Sequence, residues 1–134
     1  MSQEDVQIVR EGLLASANGD PIAGRHFWDP SIEWDMSGVS GWAEKQIYRG
    51  REVIEFLRAW ADSWQGWHFE VEEVCDGAGE TVFAAIHESA MGPGSGASVD
   101  QRRYFVFTMS EGRAVRIQMF SELGDARAAA GLPA

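Results

Sequence analysis

All six tryptophans of this 134-residue chain fall between Trp28 and Trp67, so a tryptophan-rich half must fold against a half without tryptophan. Tryptophan brings the largest side chain and an indole N–H that needs a partner once buried. Trp60 and Trp64 stand four apart, which places them on one face of a helix. A sheet facing that helix would enclose an aromatic-walled hollow. Taken singly, each tryptophan reads more simply as core; taken together, they favour a pocket for an apolar small molecule.

At this length the chain reads as one domain over residues 1–134, able to bury a core without metal or disulfide support. Twenty-one acidic residues against 11 basic give a formal charge of −10. Such a balance repels phosphate backbones and anionic lipid, so nucleic acid and membrane partners are not expected. Cys75 is the single cysteine, and its apolar-alternating surroundings give it a packing role. No apolar run approaches the ~20 residues that span a bilayer. The start MSQEDVQIVREG lacks the basic and then apolar pattern of a signal peptide, so a cytoplasmic domain is expected.

Val6, Val9, Leu13 and Ala17 recur at helical spacing behind a Ser2/Asp5 cap, and Asn18-Gly19 ends the run. Asp20-Pro21 opens a short second helix carrying Ile22, His26 and Phe27. Ile32, Trp34 and Met36 alternate with Glu33, Asp35 and Ser37 as a half-buried strand does. Residues 38–50 have no period and read as loop, with Trp42 placed to act as a lid. Val53, Phe56, Leu57, Trp60 and Trp64 form one stripe of a helix over Arg51–Trp64. Four strands follow, Trp67–Val74, Thr81–Met91, Val99–Met109 and Arg113–Ser121, with turns at Asp76–Gly79, Gly92–Gly96 and Ser110–Gly112. The alanine-rich segment Leu123–Leu132 is helical. This order predicts an α+β domain whose three helices in the first half close one face of a curved antiparallel sheet, making a cone-shaped barrel.

Three segments resemble the SnoaL-like branch of the nuclear transport factor 2-like superfamily, which also holds ketosteroid isomerase and polyketide cyclases. They are Tyr48-Arg49-Gly50-Arg51-Glu52, the hairpin stretch from Glu111 to Gln118, and Ala126–Leu132. The resemblance implies the same cystatin-like cone and, in ketosteroid isomerase, a tuned carboxylate site; that enzyme is a standard example of such tuning. Laid across, its general-base aspartate falls on or beside Asp35, although alternation turns Trp34 inward and Asp35 outward unless the strand bulges. Its oxyanion-hole aspartate falls on Tyr104, and its oxyanion-hole tyrosine on Gly12, which has no side chain. Steroid isomerisation itself is therefore not expected. The resemblance also implies that Thr81, Phe83, Ala85, His87 and Ser89 face the helices. Tyr104, Val106, Thr108, Val115, Ile117, Met119 and Ser121 would do the same. Phe105, Phe107 and Phe120 would then lie on the convex face beside Arg103, Arg116 and Gln118, as a surface for homodimer pairing.

On this reading His87 is the inward group best suited to move a proton near neutrality, unless it is simply a hydrogen-bonded core histidine. Asp35 is a second general-base candidate, or else a solvated acid. Tyr104 would steady an oxyanion. The substrate walls would be Trp34, Phe56, Trp60, Trp64, Phe83, Val106, Ile117 and Met119. His26 and His68 have no evident role, and no histidine or acid pair has metal-ligand spacing. The Gly92–Gly96 loop is a candidate flap. The expectation is a pocket for an apolar or polycyclic ligand, with cofactor-free and metal-free proton transfer of isomerase, cyclase or dehydratase type. The alternative is a non-catalytic dimeric binding or interaction module.

Overall fold

Apolar residues at helical spacing produce α1 (Ser2–Ser16), which buries Val9 completely and stops where Gly19 takes a positive φ of 116°. The computed structural model describes residues 2–92 and 98–133, so all of the expected Gly92–Gly96 flap but Gly92 lies outside the described residues, as does the Ser2 side chain expected to cap α1. The short second helix is only a turn at 21–24 followed by a single 3-10 turn, Arg25–Phe27. It is tied down by glycines. A Cβ on Gly24 would fall on the Gly12 carbonyl of α1, and a Cβ on Gly12 would fall on the Phe27 ring.

Strand β1 (Trp28–Gly38) is followed by β2 (Ile47–Arg49), in a segment that shows no period in sequence. Three residues are too few to show alternation, yet β2 pairs with β1 through Trp34↔Tyr48. Helix α2 (Arg51–Asp62) buries Val53 and Leu57 and leaves Phe56 and Trp60 half-buried. Then come β3 (Gln65–Asp76), β4 (Thr81–Met91), β5 (Ser98–Ser110) and β6 (Arg113–Phe120), and helix α3 (Leu123–Ala129). Glu111 and Gly112 both have positive φ, 51° and 76°, which is the type I′ geometry of a two-residue hairpin between Ser110 and Arg113.

The six strands lie in the order β2-β1-β6-β5-β4-β3, in a curved sheet that does not close. The sheet is mixed rather than antiparallel throughout, because β1 runs parallel to β6, with Trp34 opposite Ile117. Register shifts in β1 beside Gly38, between Val71 and Glu73, and between Thr108 and Met109 are the bulges that bend it.

Two layers cover the sheet. Helices α1 and α2, with Phe27, cover the concave face and form the main core with Ile32, Trp34, Ile86, Phe105, Phe107 and Ile117. Helix α3 crosses to the opposite face, where Ala126 and Ala130 pack on Phe83, Ala85 and Val106. The face expected to be free of helices is therefore partly covered. This also reverses the expected orientation of β4 and β5. Val82 through Ile86 are all buried, on both faces, and so are Phe105 through Phe107, so alternation there carries no information about which side is which.

Candidate functional site

The hollow between the helices and the concave sheet face is walled from three directions. Gly12, Leu13 and Ser16 of α1 and Phe56, Leu57 and Trp60 of α2 line the helical side. Trp34 and Met36 of β1, Ile117 and Met119 of β6, Phe105 and Phe107 of β5 and Ile86 of β4 line the sheet side. Register explains the common orientation, since Phe105 lies opposite Met119 and Phe107 opposite Ile117. Trp28, Trp42 and Trp67 complete the wall, so five of the six tryptophans border it. The free space inside is about 90 Å³. An apolar cavity of ~150 Å³ accommodates benzene, so this hollow has room for at most one ring, admitted with small shifts of the wall, and none for a fused system.

The rings form a connected lining. Trp28 meets Trp34 at 6.2 Å, Trp34 meets Phe105 at 6.0 Å, and Phe105 meets Phe107 at 5.9 Å. On the helical side Trp42 stands edge-on to Phe56 at 5.6 Å and 6.4 Å from Trp60. The Trp42 indole donates to the Lys45 carbonyl at 3.0 Å, which fixes its ring over α2 at the half-buried rim. Trp64 packs behind Trp60 at 5.6 Å, its ring tilted by 52°, and is outside the lining.

Two charged residues stand in this otherwise apolar wall, Glu88 and Arg103. The Glu88 side chain is 2% exposed and the Arg103 side chain 16%. Trp67 donates its indole N–H to Glu88 Oε2 at 3.0 Å, Gln101 donates its amide to Oε1 at 2.6 Å, and Arg103 Nε lies 3.6 Å from Oε1. Burying a carboxylate is costly unless it is paired and hydrogen-bonded, and here two hydrogen-bond donors and the nearby guanidinium offset that cost. Ser16 Oγ, also in the wall, accepts the Gly24 N–H at 3.0 Å.

The residues expected to do chemistry are placed elsewhere. His87 lies opposite Arg102 on the outer face and pairs with Asp100. Tyr104 lies opposite Ala85 and stacks on Phe83 under α3, at 6.3 Å and 18°. Asp35 lies opposite Gln118 on the outer face, where it accepts from Arg116 at 3.0 Å and from the Ser37 N–H at 2.8 Å. Burial alone would push the Asp35 carboxyl up, but the Ser37 hydroxyl and N–H and the Arg116 guanidinium outweigh it and hold it below the usual carboxylate range. These three are thus separated from the hollow by the thickness of the sheet. The physical reason is the reversed orientation of β4 and β5, together with simple alternation in β1.

Among the expected wall residues, Trp34, Phe56, Trp60, Ile117 and Met119 line the hollow, while Phe83 and Val106 pack under α3. Phe105 and Phe107, expected on the outside, are in the wall. Of the proposed pairing surface, Arg116, Gln118 and Phe120 remain outward; Phe120 packs beside α3 and Arg116 is engaged by Glu33 and Asp35. Glu88 and Arg103 are missing from the sequence reading. The available signal was a single acid within the apolar run of β4, from Val82 to Ala90. Burial pushes the Cys75 thiol up, with Glu73 adding to the shift, which keeps it protonated and unreactive. Among the described residues, no three His, Cys, Asp or Glu side chains gather as metal ligands do, and no helix is long and apolar enough to cross a membrane.

The sequence pattern of the SnoaL-like domain family matches residues 9–117. Solved structures share the fold over almost the full length. A nuclear transport factor 2-like protein of Burkholderia thailandensis is 27% identical, with a TM-score of 0.72, covering 96% of this chain and 98% of its own. Bal32a, from a soil-derived mobile gene cassette, is 20% identical with a TM-score of 0.75, covering 93% and 94%. A protein of ketosteroid isomerase-like fold from Catenulispora acidiphila, solved in complex with trimethylamine, is 17% identical with a TM-score of 0.68, covering 95% and 94%. Among curated proteins, none matches the chain.

Proposed function

The chain belongs to the SnoaL-like domain family, and from that premise we propose that it binds a small, mainly apolar molecule in the hollow between its helices and its sheet. The observation that carries this reading is the wall itself. Five tryptophans and several phenylalanines border a space that protein packing would ordinarily fill, and a buried ion pair stands at one point of it. A structural core has no need of an acid held by two hydrogen-bond donors and a guanidinium.

Calorimetric titration with single-ring apolar compounds tests the reading. Saturable binding is expected, weakened about tenfold or more by Trp60→Ala, which removes a large part of the rim. Heats no different from dilution for every ring compound, with circular dichroism showing a folded chain, would make the aromatic wall mere core.

A second reading adds proton transfer of isomerase, cyclase or dehydratase type, and the buried carboxylate of Glu88 supports it. The role expected of His87 or Asp35 passes to this residue, because it is the acid in the wall. Turnover of a bound ligand should then fall at least a hundredfold in Glu88→Gln while binding persists. Unaltered turnover in that variant would leave the domain as a binding module.

A further inference from the structure

Resting on the pocket reading, we infer that the ligand carries a neutral oxygen acceptor, most simply a carbonyl on a single-ring-sized apolar body, and that Arg103 is the residue that reads it. The argument is one of hydrogen-bond capacity. Glu88 already receives the Trp67 indole at 3.0 Å and the Gln101 amide at 2.6 Å, with the Arg103 guanidinium alongside at 3.6 Å. It is the more deeply buried of the two charged residues, at 2% against 16%, so an entering molecule reaches the Arg103 guanidinium more readily than the Glu88 oxygens.

Arg103 is in the opposite situation. A guanidinium offers five N–H donors and no acceptor. Among the described residues its ionic partner is Glu88, at a distance longer than a hydrogen bond, and its side chain keeps some exposure where it lines the hollow. Its place is fixed by the sheet. Arg103 lies opposite Ile86, and Glu88 lies opposite Gln101 one pair further along the same face. The wall therefore presents donors, and an entering molecule satisfies them with an acceptor.

Charge narrows the class. Glu88 and Arg103 together are neutral, so a carboxylate ligand would leave an uncompensated negative charge in an apolar hollow of a chain already at −10. An ammonium ligand would gain from the indole faces but would sit beside the Arg103 charge, with the Glu88 carboxylate buried behind it. A carbonyl meets neither penalty and receives a charge-assisted hydrogen bond.

Four compounds of similar size separate these cases by calorimetry on the whole chain: ethylbenzene, acetophenone, benzoate and 1-phenylethylamine. The expected order puts acetophenone first, about tenfold tighter than ethylbenzene, the value of one hydrogen bond to a charged donor. Removing Arg103 alone would strand a buried carboxylate, so the companion variant is the double change Glu88→Leu with Arg103→Met, which takes away both charges. In it the preference for acetophenone should vanish while ethylbenzene binds as before. Equal affinity of the intact chain for acetophenone and ethylbenzene, or tightest binding of benzoate or the amine, overturns the assignment. If none of the four binds, the pocket reading itself falls. The ranking in the unmodified chain decides the matter even where the double variant does not fold.

Discussion

Asp35 shows how one carboxylate can be pulled between two readings. Alternation along Ile32, Trp34 and Met36 turns it outward, and the superfamily overlay turns it inward. The structure follows alternation, with Asp35 meeting Arg116 and Ser37. Its folded pKa lies below the ordinary value of ~3.9. A depressed carboxylate contributes stability that is present above the unfolded pKa and is lost as pH falls through the folded one. Urea melts at pH 7 and pH 3 should therefore show a loss of stability on acidification that is smaller in Asp35→Asn. At pH 7 that variant should already be about 1–2 kcal/mol less stable, since Arg116 retains Glu33 as a partner. An unchanged acid sensitivity in the variant would assign the effect to other groups. Glu88 was illegible for a different reason: a lone acid in an apolar strand looks the same whether it points to a hollow or to water, and only its partners Trp67, Gln101 and Arg103 tell the difference.

Among the elements, those with their own local cues were readable. The Asn18-Gly19 stop, the Arg51–Trp64 stripe and the Glu111-Gly112 turn each correspond to a feature of the fold. What the local cues lacked was the far side of each element. Val82–Ile86 is apolar throughout because α1 packs over one face and α3 over the other, and the pattern of such a strand gives no parity. The three-residue β2 was too short to show a period at all. The contact of α1 with the turn at 21–24 is equally hidden, since it depends on two glycines with nothing between them. Gly24→Ala should force the Gly12 carbonyl away and cost about 1–3 kcal/mol, read as a lowered Tm. Gly12→Ala should instead displace the Phe27 ring, which borders the hollow, and so weaken ligand binding as well. A Gly24→Ala protein as stable as the parent would show that the two segments are free to separate.

For the molecule as a whole, the class and order of elements were legible, but the strand order was not. Pairing β1 in parallel with β6 joins residues more than eighty positions apart, and nothing local announces such a partner. The charge of −10 also acts at this scale. Raising ionic strength from 0.01 M to 0.15 M shortens the screening length from ~30 Å to ~8 Å. The Tm should then rise by a few degrees as self-repulsion fades; a fall would mean that the ion pairs of Glu33, Arg49 and Arg116 matter more than the net charge. The distribution of tryptophan has one more outcome. Five indoles border the hollow and the sixth packs against one of them, whereas the layer beneath α3 is built from Phe83, Tyr104 and Phe120. The two sides of the sheet thus differ optically. Emission excited at the red edge of indole absorption reports on the side under α1 and α2 alone, and loosening of α3 leaves it unchanged, so a lag between that signal and far-ultraviolet dichroism would time the two layers separately.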